Sequence, residues 1–410
     1  MERRGFILQS GIIAGGLLLH QSMAQAFRIA AKEKKIRLGI IGCGDRGNGI
    51  LTVLRELTDY YELAAVCDVL DFRLENTKKL LAESKGRLTG GKEVTVYKDY
   101  HKLLDDKSVD AVVISTPLNL HYRIGSDALA AGKHVYLEKA MTFTIPEAMD
   151  LVKQAKAATG QVLQVGHQYR YTPLYYKVKE MIEKGYLGKT MQVDCRWDRN
   201  WNWRRDVPDP SLERKINWRM YKEYSGGLAA ELLSHQMDFI DWAFNTHPDT
   251  VYATGGIDYY KDGRETFDNF QATLRYEKAG MIGNFGATCG NARDGYLFKL
   301  KGTKGTISLL THEGVFYPES ETRKELETVD GVTGATRITW NKDGGIPLLT
   351  GPAKDGTWYA LNDFYKCIQQ KLVPASNVIT GATTAICVAL ANNSAYGGII
   401  ERWKPEYTLS

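Results

Sequence analysis

A glycine cluster set between an apolar strand and a helix constrains this chain more than any other feature. Residues 36–41 read IRLGII, a run suited to a strand covered on both faces. Gly42, Gly44 and Gly47 follow at once, and helical apolar spacing continues through Leu54. Each glycine has a separate task in such a turn. Gly42 makes it tight, Gly44 lets backbone approach a pyrophosphate, and Gly47 lets the helix pack on the strand. The helix N-terminus then offers its free amides and positive dipole end to the phosphates. A second apolar run, 63–66, ends at Cys67-Asp68, 21 residues after Gly47. A carboxylate there accepts hydrogen bonds from ribose hydroxyls and repels a 2′-phosphate, so Asp68 points to NAD over NADP.

Strand and helix signals keep alternating. Residues 111–114 form a strand ending in Ser115-Thr116-Pro117, with a helix from His121; 134–137 form another, ending in Glu138-Lys139. Helical spacing over 145–158 leads to a strand at 162–165. This order predicts a parallel sheet covered by helices, with ligands at the carboxyl ends of its strands. After a helix over 173–184 the pattern changes to period two: 191–197, 270–276, 281–285, 296–300, 306–310 and 315–317 read as strands. Residues 319–356 read as loops, and helices near 361–370 and 382–395 close the chain. The expected fold is an α/β Rossmann domain (36–168) followed by an α+β domain (169–410) with a large, mostly antiparallel open sheet.

The first 35 residues read as an export signal and linker. Arg3-Arg4-Gly5-Phe6-Ile7-Leu8 precede an apolar run from Gly11 to Leu19 and the small-residue stretch Ala24-Gln25-Ala26. The apolar run is shorter than the roughly 20 residues a membrane span needs, and the paired arginines suit the twin-arginine route. Residues 1–35 hold six basic and two acidic side chains, so most of the formal net charge of +5 sits there. The remainder is near neutral, which argues against nucleic acid as a partner. Six cysteines without a C-x-x-C pair support neither a disulfide framework nor a cysteine zinc site.

Further motifs carry chemistry. Lys139 stands at a strand's carboxyl end, where a lysine can orient a hydroxyl or move its proton. Glu231 and His235 follow Gly226-Gly227 and are four apart, sharing a face on an α-helix; His235 suits proton abstraction near neutral pH. His167, Glu231 and His235 also allow a two-histidine, one-carboxylate metal site as an alternative. From Arg196 to Tyr224, tryptophans and tyrosines interleave with arginines. Flat aromatic faces suit sugar C–H surfaces, and arginines with Asn200, Asn202 or Asn217 suit hydroxyls; the same residues also suit a protein interface.

Together the glycine loop with Asp68, Ser-Thr-Pro-x-x-x-His at 115–121, Glu138-Lys139, and Gly-Gly-x-x-x-Glu-x-x-x-His at 226–235 resemble the glucose–fructose oxidoreductase, inositol dehydrogenase and rhizopine-catabolism family, written Gfo/Idh/MocA. The resemblance runs from about Ile36 to the C-terminus. It departs from the family pattern at Ala140, where proline is usual, and at Glu231, where aspartate is usual. It implies NAD on the first domain, contacted by Gly42, Gly44, Asp45, Arg46, Gly47, Asp68, Ser115, Thr116, Pro117, Asn119, His121, Glu138, Lys139 and Gln168. It implies a sugar or glycoside held by Lys139, His167, Arg170, Trp218, Arg219, Tyr224 and His235, with Lys139, Glu231 and His235 catalytic and no metal required. The His167–Tyr171 stretch HQYRY and the Gly-Gly-Glu-His variant resemble an exported, glycoside-oxidising branch. The implied activity is hydride transfer from a sugar hydroxyl to tightly bound NAD. Transient oxidation, elimination and re-reduction (an NAD-dependent glycosidase) and a non-catalytic sugar-sensing or structural protein are the alternatives. A homo-oligomer without a stable membrane span is the expected assembly.

Overall fold

The computed structural model describes residues 34–293, 295–310, 313–327, 340–349 and 351–409. The export signal expected in residues 1–33 lies outside them. The first sheet contains β1 (Ile36–Ile41), β2 (Tyr61–Cys67), β3 (Thr95–Tyr97), β4 (Ala111–Ile114), β5 (His134–Leu137) and β6 (Leu163–Val165). They pair in the order β3-β2-β1-β4-β5-β6, all parallel. β1 and β4 are buried almost throughout, which explains their unbroken apolar sequence. β3 escaped the sequence reading because it is an edge strand with mostly exposed side chains and no apolar run. Helices α1 (Asp45–Leu54), α2 (Asp71–Glu83), α3 (Tyr100–Asp105), α4 (His121–Ala130) and α5 (Ile145–Ala157) connect these strands. Thr144 and Glu147 close a capping box at the start of α5.

After α6 (Pro173–Glu183) comes β7 (Thr190–Trp197), then irregular chain that includes α7 (Glu213–Ile216), and then a π-helical turn (Ala229–Leu233) running into α8 (Ser234–Phe244). β8 (Thr250–Gly256), β9 (Asn269–Tyr276), β10 (Met281–Thr288), β11 (Tyr296–Gly302), β12 (Gly305–Leu309), β13 (Gly314–Pro318), β14 (Ile346–Pro347) and β15 (Glu401–Arg402) complete the second sheet with β7. Its order is β14-β13-β12-β11-β7-β10-β9-β8-β15, antiparallel except where β10 meets β7. The alternating burial of β9 produces the period-two pattern of its sequence. In the segment read as loops, Ser320–Glu327 is a helix, α9, and β14 is a short strand.

The chain does not stay in its second domain. Helix α10 (Gly356–Gln370) returns to the first sheet, where Ala360, Leu361 and Phe364 pack with Tyr61 and Tyr136. Tyr61 donates to the Leu361 carbonyl at 2.6 Å, and Gln164 to the Ala360 carbonyl at 2.7 Å. Helix α11 (Val378–Gly397) is long and apolar enough by composition to cross a membrane, yet most of it is buried in the fold. Its Gly381 lies so close to Val165 that a Cβ would approach within 2.6 Å. This contact fixes α11 against the first domain.

Candidate active site

Two neighbouring clefts of about 480 and 280 Å³ lie at the carboxyl ends of β1, β2, β4 and β5. Gly42 opens the larger one: its φ is +96°, and a Cβ there would stand 2.6 Å from the Ser115 carbonyl oxygen. At Gly47 a Cβ would meet the Gly42 carbonyl oxygen at 2.0 Å, so α1 can seat on β1 only with glycine there. Gly44 differs, because no atom comes closer to its would-be Cβ than 3.8 Å, where Arg73 lies. The bare backbone at Gly44 therefore leaves room for a ligand. Asp68 is buried and accepts from the Cys43 amide (2.8 Å) and the Leu70 amide (2.9 Å), which fixes its carboxylate beside the loop. Arg73, in the first turn of α2, lies 3.8 Å from that carboxylate. Sequence reasoning missed Arg73; its place shortly after Asp68 on the following helix was the available signal.

The smaller cleft shares Asp45, Arg46, Ser115 and Thr116 with the larger. Lys139 and Glu231 line it, with Gln168, Trp218 and Arg219. The Lys139 ammonium donates to the carbonyls of Glu231 (2.7 Å) and Ala230 (3.3 Å). Those carbonyls belong to the π-helical turn, whose i→i+5 pattern shifts the usual backbone partners. Desolvation holds the Lys139 pKa below the ordinary lysine value, against the opposing pull of Glu231 and Glu138. The Lys139–Ala140 peptide, where the family has proline, is cis.

Glu231 accepts from Arg219 Nε at 2.7 Å. Burial raises its pKa, but Arg219 and Lys139 outweigh that, so it titrates below an ordinary glutamate. Because the π turn intervenes, Glu231 and His235 do not present one face in the expected way. Glu231 lines the cleft, whereas His235 is buried behind it, its ring 4.7 Å from that of Tyr169 and 5.7 Å from that of Trp197. Burial, then the charges of Lys139, His167 and Arg46, push the His235 pKa well below the usual value. It is a neutral imidazole, and its Nδ1 is enclosed without a partner among the described residues.

Other expected contacts are placed elsewhere. Arg170 is fully buried and donates to Asp238 through Nε (2.9 Å) and Nη2, and to the Ala375 carbonyl at 2.6 Å. It joins the two domains and does not reach the cleft. His167 is buried too, with Nδ1 3.0 Å from Asp238 Oδ1 but off the line of a hydrogen bond. Among the described residues no three His, Cys, Asp or Glu groups come together as a metal site, so His167, Glu231 and His235 do not form the alternative ligand set. His121 places its ring nitrogens against the carbonyls of Ala140 (2.9 Å) and Thr116 (3.0 Å), which fixes the β4 and β5 ends relative to one another. Glu138 holds Arg46 at 2.8 Å, and Arg46 also donates to Thr357 on α10. Ser115 donates to the Gly42 carbonyl at 2.8 Å. Pro117 and Tyr224 line the larger cleft, and the Asn119 amide reaches the Tyr224 carbonyl at 3.4 Å.

The aromatic–arginine segment forms the opposite wall. Trp201, Trp203 and Trp218 line the smaller cleft, with the Arg219 guanidinium 4.3 Å from the Trp218 ring centre. Arg205 crosses to the first domain and pairs with Asp45 at 2.6 Å. Asn217, expected to meet hydroxyls, is buried instead; it accepts from the Arg205 amide at 2.7 Å and donates to the Arg205 carbonyl at 3.1 Å.

A dinucleotide cradle at a parallel sheet's carboxyl edge, opening onto a lysine and a glutamate under an aromatic wall, defines a two-domain NAD-linked oxidoreductase. Residues 36–167 match the model of an oxidoreductase family with an NAD-binding Rossmann fold, and residues 175–308 match the GFO/IDH/MocA C-terminal domain. The chain belongs to the Gfo/Idh/MocA family. It is 29% identical over 216 residues to an inositol 2-dehydrogenase/D-chiro-inositol 3-dehydrogenase of Lactiplantibacillus plantarum, covering 52% of this chain and 54% of that one. The chain thus spans about half the length of such curated relatives. A levoglucosan dehydrogenase solved with NADH and levoglucosan has a similar fold, with TM-score 0.69 at 19% identity over 90% of this chain and 99% of that one. An aldose–aldose oxidoreductase of Caulobacter crescentus, complexed with glycerol, superposes with TM-score 0.68 at 19% identity, over 90% of this chain and 100% of that one.

Proposed function

We propose that this chain is an exported oxidoreductase that removes hydride from a carbinol carbon of a sugar or glycoside, with Lys139 managing the hydroxyl proton. The observation that carries this reading is the position of the Lys139 ammonium, held by two π-turn carbonyls at a cleft that continues the dinucleotide cradle. The residues suit NAD. Gly44 leaves space beside the loop, and Thr116 Oγ1 and Gln168 Oε1, both on the smaller cleft's lining, are enclosed without partners among the described residues. Bound there, NAD supplies the hydride acceptor. The protein's own part is orientation and proton transfer. A hydroxyl is a poor hydride donor until its proton leaves, and Lys139, whose pKa burial lowers, receives it as the neutral amine, the lone pair taking the proton while two N–H groups keep the π-turn carbonyls. Glu231 is held by Arg219 as a carboxylate and keeps a negative charge beside Lys139. Inositol, levoglucosan and aldose enzymes among the relatives support a polyhydroxylated substrate.

Arg3-Arg4 and the apolar run behind them support export. Free NAD is not expected outside the cytoplasm, so on this reading the cofactor is loaded during folding and recycled at each turnover. The cradle's own fixed parts, Gly42, Gly47 and the amide-held Asp68, support retention of the cofactor. Protein purified without added nucleotide should contain NAD or NADH, and absorbance near 340 nm should rise on mixing with a glycoside. Lys139→Ala should lower kcat by roughly 10²–10⁴-fold with cofactor content unchanged. Lys139→Arg, which keeps the charge but does not release a proton, should fail to restore it. Full activity in Lys139→Arg would remove the proton role, and an empty protein consuming free NAD stoichiometrically would remove retention.

A further inference from the structure

The charges around the smaller cleft leave one arginine over. Its carboxylates are Asp45, Glu138 and Glu231, and each already holds a base: Arg205, Arg46 and Arg219 respectively. Arg199 lines the same cleft and has no hydrogen-bond or ion-pair partner for its guanidinium among the described residues. Its Nε is enclosed, and the group lies over two indole rings, 5.6 Å from the Trp197 centre and 5.8 Å from the Trp203 centre. Burial, reinforced by the neighbouring Arg219, holds its pKa below the usual arginine value. The backbone beneath it is fixed. The Arg199 amide donates to the Thr288 carbonyl at the end of β10, and the Trp201 amide to the Cys289 carbonyl. The arginine therefore stands on the sheet side of the smaller cleft.

A partly desolvated cation without a counter-ion is costly, and a protein keeps one where a ligand supplies the charge. Arginine's planar fork matches a carboxylate, and Trp201, Trp203 and Trp218 on the same lining suit the face of a sugar ring. We infer that Arg199 receives a carboxylate on the substrate, so that the preferred substrates are sugar acids, such as uronic acids and uronosides, over neutral sugars. This deepens the proposed sugar oxidation and rests on it for the identity of the ring. It makes Arg199 a specificity residue, distinct from Lys139 at the reacting carbon.

The test compares methyl glycosides with the matching methyl uronosides in the gluco, galacto and manno series, using full-length protein with its bound cofactor. Two signals are read: quenching of tryptophan fluorescence for binding, and absorbance near 340 nm for oxidation. At least one uronoside should bind roughly 10–100-fold more tightly than its neutral partner, the range expected of a hydrogen bond to a charged group. Arg199→Met should abolish that difference while leaving the cofactor in place, and Arg199→Lys should keep part of it. Equal binding within every pair, or a uronoside preference that survives Arg199→Met, would overturn the inference. If uronosides bind selectively through Arg199 but no sugar ever reduces the cofactor, the specificity stands and the proposed oxidation falls.

Discussion

The two walls of the cleft are made in different ways. On the first-domain wall, backbone does most of the shaping: strand ends converge by topology, Gly42 and Gly47 permit contacts no side chain would, and Asp68 is fixed by two amides. On the second-domain wall, from Arg196 to Tyr224, little chain is regular and side chains hold one another. Glu213 takes Arg204, Tyr221 and Asn217, while Arg264 binds Asp262 and the Asn202 carbonyl. A wall of strand ends keeps one ligand chemistry through much sequence change. A wall of linked side chains can be re-cut for a new sugar without disturbing the fold.

The join between the walls should be the most sensitive place. Asp238 receives Arg170 and Thr384 and lies 3.0 Å from His167 Nδ1, all buried, and burial and then Asp238 itself push the carboxyl of nearby Asp241 well above the usual carboxylate range. Arg170→Met leaves that carboxylate uncompensated and should cost about 3–5 kcal/mol of unfolding free energy in chemical denaturation. A loss under 1 kcal/mol would mean the two walls are held together elsewhere. Next comes pH. His235 and His121 are both held below the usual histidine pKa, chiefly by burial. Each takes up its proton less readily folded than unfolded, where the pKa is about 6.5, so stability should fall as pH drops through that value. The slope should reach at most about 1.4 kcal/mol per pH unit for each ring, with His235, the more strongly shifted, contributing most. Denaturation series from pH 7.5 to 5 would show it, and His235→Asn should flatten it.

Two smaller effects separate the walls directly. Asp68→Ala should weaken NAD about 10–100-fold and relax discrimination against NADP, without altering sugar affinity once cofactor is bound. A wild-type preference for NADP would contradict the assignment. Asn217→Ala removes the two bonds that brace Arg205 and should raise the sugar KM by about fivefold, near 1 kcal/mol, with NAD affinity little changed. If NAD weakens as much as sugar, the second wall serves both ligands and the contrast fails.

The same contrast explains what the sequence disclosed. The cradle was legible because each of its requirements falls on one residue at a fixed spacing, as at Gly42, Gly47 and Asp68. Lys139 was legible because a strand's end is visible in an apolar run. Arg170 and Asn217 were misplaced as ligand contacts because a polar side chain that braces the fold has the same composition as one that binds sugar. Only partners distant in sequence, such as Asp238 and the Ala375 carbonyl, tell them apart. His235 was expected to share a face with Glu231 because four-residue spacing implies it in an α-helix, and nothing local announced the wider turn.

That wider turn makes register, as well as residue type, a variable of this site. A π-helical turn holds one residue more than the α-helical turn it replaces. Removing a single residue from Ala229–Leu233 would rotate everything before it by about 100° relative to α8 and bring a different side chain to the cleft in place of Glu231. His235 and the sheet beneath would stay where they are. Relatives that differ by one residue between the paired glycines and the histidine would then present different chemistry on the same fold, and a comparison by substitution alone would overlook it.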